Sequence, residues 1–381
     1  MRLLPVAKPL LPTAERLVPY LREIDASRIY TNHGPLSRRL EARLAEYAGA
    51  PSAEHVCVAA NATAALTATL MALRAETGSF CMMPAWTFVA SGHAVVQAGL
   101  VPWFVDVAFD DGALTPHAAR RFAAQAPGHV GAVLAVSPFG APVDAGGWAA
   151  FRQRTGIPVV IDAAAAVDSA RASEIATVVS LHATKVLAAG EGAFVTWTDA
   201  NGIAAIRQRI NFGFAGTREA ASPGINAKMS EYAAAVGLAA FDDWPVTRAA
   251  FRRVALAYRD AFRLTGDVAL QRGYGKHWIS STTIVRVPPG SLAPIEHALA
   301  EHGIATRRWW GGGLAMQRAF AGYPRTALGA TEALAESTLG LPCWVDLADT
   351  DAARIAAIVR SASSGSTLTQ DTACAPTFHA V

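Results

Sequence analysis

Residues 157–185 read IPVVIDAAAAVDSARASEIATVVSLHATK. Two short apolar runs, 157–161 and 175–179, each end in residues with chemistry to offer: Asp162 after the first, Ser180 and then Lys185 after the second. Short β-branched runs bounded by turns read as buried strands of a parallel sheet. Ligands of open α/β sheets bind beyond the carboxyl ends of the strands, so Asp162, Ser180 and Lys185 are expected to face one crevice. Lys185 stands out because only four of the 33 basic residues are lysines, the rest being arginine. Lysine is the basic side chain whose amine can be deprotonated by burial and then bond covalently to a carbonyl; guanidinium cannot. The plainer alternatives are a strand-end lysine with its ammonium in water and an aspartate serving as a helix N-cap.

The same alternation extends in both directions. EHVCVAA runs into the helical NATAALTATLMALR, with Leu66, Leu70 and Leu73 on one face and Gly78 breaking the pattern; SFCMMP, VPWFVDV and HVGAVLAVSPFG follow. Strands alternating with helices predict an α/β fold, a mostly parallel sheet flanked by helices. After Pro245 come an arginine-rich helix, the strand-like SSTTIVRVP, a helix, the strand-like GIATRRWW and a last helix around DTDAARIAAIVRSA. That order predicts a smaller C-terminal α+β domain over 246–364, behind a large domain over 1–245 that includes the N-terminal segment. The Ser- and Thr-rich stretch from 365 to 381 reads as a flexible tail.

Composition excludes several classes. A hydrophobic fraction of 52%, 17% charged residues and a net charge of +3 describe a globular chain with neither a nucleic-acid stripe nor a basic membrane patch. No run approaches the roughly 20 apolar residues of a membrane helix, and MRLLPVAKPLLPTAER is cut by prolines and a lysine, unlike a signal-peptide core. Cys57, Cys81, Cys343 and Cys374 form no CxxC pair and have no histidines at ligand spacing, so no metal site and no disulfide framework is expected. A reducing cytoplasm fits.

A lysine and a carboxylate facing one crevice suit pyridoxal phosphate. That cofactor needs a lysine to hold it covalently and a carboxylate to keep its ring nitrogen protonated. At ~4 Å and an effective dielectric near 20, such an ion pair is worth about 4 kcal/mol. NATAAL puts Thr63 and Ala64 in the first turn of a helix, where free N–H groups make an anion site; an Asn N-cap without a ligand is the alternative. Ser180 is placed to donate to the same phosphate. Phe88 would lie on the ring or else in the core.

These residues resemble the DegT/DnrJ/EryC1/StrS sugar aminotransferases, a branch of the fold-type-I (aspartate-aminotransferase-like) pyridoxal-phosphate enzymes. The likeness runs through NHGPLSRRLEARLAEYAGA, NATAAL, PAWTFVAS, VDV, IDAAAAVDS, SLHATKVLAAGEGAF, GINAKMSEYAAAVGL and LGLPCWVDL. It implies that Lys185 is the catalytic lysine, that Asp162 pairs with the ring nitrogen and Phe88 stacks on the ring, and that Thr63, Ala64 and Ser180 hold the phosphate. It also implies that Asn226 reaches the cofactor phosphate of a neighbouring subunit, which makes the active unit a homodimer with shared sites. Four departures stand out: Ala165 replaces a glutamine that bonds the ring hydroxyl, Asn61-Ala62 replaces Ser-Gly, Ala193 replaces a glycine, and Lys228 replaces an arginine.

The reaction the resemblance implies is transfer of an amino group from glutamate to a nucleotide-linked keto-deoxysugar. TRRWWGGG, 306–313, is similar to the stretch that members acting on dTDP-4-keto-6-deoxyglucose use near the sugar nucleotide. Arg307 or Arg308 would suit the diphosphate, and Trp309 or Trp310 the sugar or base. Amination at C3, another keto-sugar reaction on the same scaffold and a non-catalytic regulator are the alternatives. Lys185 argues against dehydration, and retention of Asp162, Lys185 and Ser180 argues against a regulator.

Overall fold

The computed structural model describes residues 3–263 and 266–364, so the expected tail at 365–381 lies outside the described residues. In chain order, α1 (Ala14–Ser27) and α2 (Pro35–Ala48) precede β1 (Val56–Ala59), α3 (Ala62–Ala72), β2 (Phe80–Pro84), α4 (Val89–Gln97), β3 (Val101–Val105), α5 (Pro116–Ala123), β4 (Val130–Val136) and α6 (Ala145–Thr155). Next come β5 (Val159–Asp162), β6 (Ala176–Ser180), β7 (Ala193–Thr196), α7 (Ala200–Arg209), α8 (Glu231–Asp242) and α9 (Trp244–Phe262). The chain closes with β8 (Ala269–Leu270), β9 (Thr283–Arg286), α10 (Leu292–Glu301), α11 (Gly329–Ala335), β10 (Thr338–Leu341) and α12 (Asp349–Ser364).

Seven strands form one sheet in the order β1-β7-β6-β5-β4-β2-β3. The ladders from β3 through β6 are parallel, and β7 runs antiparallel to both β6 and β1. Successive strand residues point to opposite faces, and both faces are covered, which is why the strands are mostly apolar up to their ends. In β1, Val56 and Val58 enter one core while Cys57 and Ala59 enter the other; Val159 and Ile161 against Val160 repeat the division in β5. The apolar runs read from the sequence therefore form the mostly parallel sheet expected of them.

Three expectations give way to packing. Helix α3 is buried at every position from Ala65 to Leu70, so it has no single apolar face, and Leu73 is only its C-cap. It lies between the sheet and helices α4 and α7, and its alanines let neighbours approach on all sides. GIATRRWW is not a strand: it holds only single bridges, Leu4 to Ile304 and Arg307 to Gly340. Gly311 and Gly313 adopt positive φ there and turn the chain away, so that the Leu314 N–H reaches the Ala85 carbonyl at 2.7 Å. The start of the chain, expected with the large unit, lies along the C-terminal part. Ala305 N donates to Leu4 O at 2.9 Å, Cys343 N donates to Val6 O at 3.1 Å, and Lys8 pairs with Asp346.

The C-terminal part carries its own three-stranded antiparallel sheet, β10-β9-β8. Among the described residues, no helix is long and apolar enough to cross a membrane.

Candidate active site

The sheet delivers Asp162 as the last residue of β5 and Ser180 as the last residue of the adjacent β6. Asp162 is only 6% exposed. Its Oδ2 accepts from Ser91 Oγ at 2.7 Å, and its Oδ1 accepts from the Ala164 N–H at 3.1 Å. Burial pushes its carboxyl up; the two bonds and the charge of Lys185 pull the other way. The local bond to Ala164 resembles a turn cap, while Oδ2 is held out by a serine 71 residues away. Ser91 was not singled out from the sequence, since nothing near it announces a long-range partner. It also shares a 2.8 Å hydrogen bond with Thr87, so the PAWTFVAS segment orients the carboxylate.

Lys185 is in the turn after β6, its N–H donating to His182 O at 2.9 Å. Its amine is pushed below the ordinary lysine range chiefly by burial, with Asp162 opposing. Thr184, Lys185 and Val186 line a small cavity with residues 7–10 at the chain start, Ser281 and Cys343. Arrangement of a desolvated amine and a desolvated carboxylate in one crevice leaves each short of a strong partner.

The helix start at α3 is partly closed. Asn61 is the N-cap, and its Oδ1 accepts from the Ala64 N–H at 2.9 Å. Ala64, expected among the phosphate donors, thus has its N–H committed to the cap. Thr63 keeps an N–H and a hydroxyl with no partner among the described residues, and its carbonyl accepts from Thr67 Oγ1 at 3.0 Å. Ser180 is buried and accepts from the His182 N–H at 3.2 Å, which leaves its own O–H proton to donate. Phe88 caps α4 and is 54% exposed, a large ring held in the open beside a strand end. Asn226 is exposed; its Oδ1 accepts from Lys228 Nζ at 2.7 Å, and the same segment runs beside the α3 loop through the bond from Ala60 N to Ala227 O at 2.7 Å.

The donor set fits pyridoxal phosphate. Lys185 offers an amine of lowered basicity, Asp162 a buried carboxylate that a cation would keep ionised, Thr63 and Ser180 open donors, and Phe88 a bare aromatic face.

The segment 306–313 packs against the loop after β2 but is already engaged. Trp310 stacks on Phe139 at 3.8 Å and meets Trp86 edge-on at 5.3 Å. Arg308 holds Glu296 in a two-pronged ion pair, at 3.0 and 2.6 Å. The Arg307 guanidinium sits 4.9 Å over the Trp309 ring, whose Nε1 is buried without a partner among the described residues. Arg308 and Trp310 are therefore spoken for, and Arg307 and Trp309 are the members of the four with unused groups.

Comparison with known proteins gives the family. The DegT/DnrJ/EryC1/StrS aminotransferase family signature matches residues 13–360. The chain is 33% identical over 239 residues to a Shigella dysenteriae dTDP-4-amino-4,6-dideoxy-D-glucose transaminase, covering 61% of this chain and 63% of that one. It is 30% identical to the UDP-N-acetyl-3-dehydro-alpha-D-glucosamine 3-aminotransferase of Acidithiobacillus ferrooxidans, over 90% of this chain and 91% of the other. Among solved structures, DesI in the presence of its TDP-sugar product superposes with a TM-score of 0.85 at 32% identity, covering 96% of this chain and 94% of that one.

Proposed function

The chain belongs to the DegT/DnrJ/EryC1/StrS aminotransferase family and is a pyridoxal-phosphate-dependent aminotransferase, and on that premise we propose that it moves an amino group from glutamate to a nucleotide-linked keto-deoxysugar. The favoured acceptor is the C4 keto group of dTDP-4-keto-6-deoxyglucose, giving dTDP-4-amino-4,6-dideoxyglucose. What supports this acceptor is the likeness to the Shigella transaminase and to DesI, whose structure was analysed in the presence of its TDP-sugar product. The Acidithiobacillus relative, a 3-aminotransferase, makes C3 amination the second reading.

The observation that carries the chemistry is the crevice at the ends of β5 and β6, where Asp162 is buried, the part-buried Lys185 follows in the next turn, and burial pushes the carboxyl up and the amine down. The bound cofactor supplies an electron sink for the substrate carbanion. Lys185 would hold it covalently; once displaced, its amine, pushed below the ordinary lysine range by burial, would move a proton to and from the reacting carbon. Asp162 would set its negative charge against the ring nitrogen, with the Ser91 hydroxyl orienting the carboxylate through Oδ2. Thr63 and Ser180 donate to the phosphate, with Ala64 joining if Asn61 releases its N–H. The exposed Phe88 ring would lie on one face of the cofactor ring. Asn226 serves the phosphate of a partner subunit's cofactor, so the working unit is a homodimer, active in the cytoplasm. Arg307 and Trp309 contact the nucleotide sugar.

Two half-reactions sharing one site require ping-pong kinetics. In stopped-flow spectroscopy, glutamate alone is expected to bleach the cofactor band and dTDP-4-keto-6-deoxyglucose to restore it. Restoration only by small keto acids would redirect the protein to amino-acid transamination, and product mass and NMR would separate C4 from C3 amination.

A further inference from the structure

On the reading that Lys185 holds pyridoxal phosphate, the turn that presents its amine belongs to the catalytic machinery, and a single side chain builds that turn. Lys185 stands five residues beyond Ser180, the end of β6. The chain returning through 189–192 pins the rim of the turn: Leu181 N donates to Gly192 O at 2.8 Å, Ala183 N to Gly190 O at 2.7 Å and Ala189 N to Leu181 O at 2.7 Å. Gly190 takes a positive φ of 79° to make that return. These bonds hold Leu181 and Ala183 and leave the N–H groups of Thr184 and Lys185 for another acceptor.

His182 serves both. Its carbonyl accepts from the Lys185 N–H at 2.9 Å, and its ring Nδ1 accepts from the Thr184 N–H at 3.2 Å. Thr184 Oγ1 lies 2.8 Å from the same nitrogen. A backbone N–H can only donate, so Nδ1 carries the lone pair, the Thr184 hydroxyl donates to it as well, and the ring proton is on Nε2. A side-chain acceptor that reaches the N–H two residues on is the arrangement by which asparagine and aspartate stand in for a backbone turn. The His182 N–H in turn donates to Ser180 Oγ at 3.2 Å. One residue thereby connects the expected phosphate donor, the residue before the lysine and the lysine itself. The far side of the ring is loosely held: Nε2 is 3.6 Å from Glu191 Oε1, and the two side chains are 43% and 65% exposed. Exposed pairs of that kind add little. Thr184 and Lys185 line the same small cavity, so a shift of the peptide between them moves the wall that carries the amine.

We infer that His182 is a positioning residue for Lys185: through Nδ1 it fixes the Thr184–Lys185 peptide, and so the placement of the lysine amine against the cofactor, while Nε2 and Glu191 are dispensable. The carbonyl bond to Lys185 survives any substitution at 182, but the Nδ1 bonds depend on the side chain. Asparagine puts its Oδ1 about where Nδ1 stands. Glutamine puts its amide nitrogen about where Nε2 stands and offers no acceptor at the Nδ1 position.

The test compares wild type, His182→Asn, His182→Gln and Glu191→Gln. It reads the rate at which added pyridoxal phosphate becomes trappable by borohydride on Lys185, the glutamate half-reaction over a range of glutamate concentrations, and urea unfolding of the cofactor-free protein. His182→Gln is expected to slow covalent attachment and the limiting half-reaction rate by about tenfold with half-saturating glutamate unchanged, because both bonds to Thr184 are lost. His182→Asn is expected to recover both rates to within about threefold, and Glu191→Gln to stay within about twofold of wild type. Equal losses in the Asn and Gln variants, or recovery by Gln and not by Asn, would overturn the assignment to Nδ1. A Gln variant that unfolds more easily but, when folded, is trapped and reacts at wild-type rates would make His182 a structural residue only and overturn it too. A loss of about tenfold in Glu191→Gln would contradict it whether or not the variants at 182 fold. Wild-type protein that takes no label on Lys185 would sink the cofactor reading together with this inference; every other failure leaves that reading in place.

Discussion

The crevice around Lys185 and Asp162 and the aromatic wall around Trp310 occupy neighbouring strand ends, and they differ in what their side chains still need. In the wall the needs are met: Trp310 has Phe139 and Trp86, and Arg308 has Glu296. In the crevice they are not: Asp162 is buried with two hydrogen bonds but no cation bonded to it among the described residues, and burial holds the nearby Lys185 amine below its ordinary range. Groups whose electrostatic cost is still uncompensated mark where a ligand belongs; groups already paired mark architecture.

Substitution is the most direct way to break this contrast. Lys185→Ala is expected to abolish covalent cofactor attachment and to lower transamination by more than about 10³-fold, read in a glutamate half-reaction. Asp162→Asn removes the ring's counter-charge; an ion pair of about 4 kcal/mol corresponds to a loss of roughly 10³-fold in kcat/KM. If Asp162 were only a turn cap, the Asn variant would be near wild type, since asparagine caps well. Ser91→Ala keeps the carboxylate but frees its orientation, and a loss of about tenfold is expected, because a single hydrogen bond to a charged group is worth roughly 1.5–3 kcal/mol at most.

The wall should answer in stability. Trp310→Ala is expected to lower unfolding free energy by about 2–4 kcal/mol in urea titration, because it opens a gap against Phe139 and Trp86. Arg308→Ala should cost no more than about 1 kcal/mol, as for other exposed ion pairs, and leave KM for the nucleotide sugar unchanged. A large rise in KM with Arg308→Ala would mean that Glu296 releases the guanidinium to substrate and would erase the distinction drawn here.

Much of the crevice was legible because its residues sit at the ends of apolar runs whose direction the alternation fixes. Asp162, Ser180 and Lys185 needed no long-range information. The limits came where a partner is distant or where small residues blur periodicity. Ser91 is 71 residues from the carboxylate it holds, and Glu231 is 195 from the helix start it caps. α3 looked amphipathic only because its leucines are spaced so; its alanines bury the other faces equally well. GIATRRWW had strand composition, but the glycines that follow permit positive φ and a turn toward Ala85, which packing then rewards. Ala64 shows the remaining gap, since the N-cap asparagine that announces the helix start also takes up one of its N–H groups.

A gentler probe sharpens the electrostatic side. In the cofactor-free protein, reductive methylation of Lys185 followed by pH should show a midpoint below the ordinary lysine value of 10.5, because burial disfavours the ammonium more than Asp162 restores it. Asp162→Asn should lower the midpoint further by removing that restoring charge. A midpoint at or above the ordinary value would mean that the amine is hydrated.

The most direct measurement is borohydride reduction of the cofactor-loaded protein followed by peptide mapping. The label is expected on Lys185, in the peptide containing SLHATKVLAAGEGAF, and to disappear from that peptide in Lys185→Ala. A label on Lys8, Lys228 or Lys276, or none in cofactor-saturated protein, would contradict the assignment of the crevice as the catalytic centre.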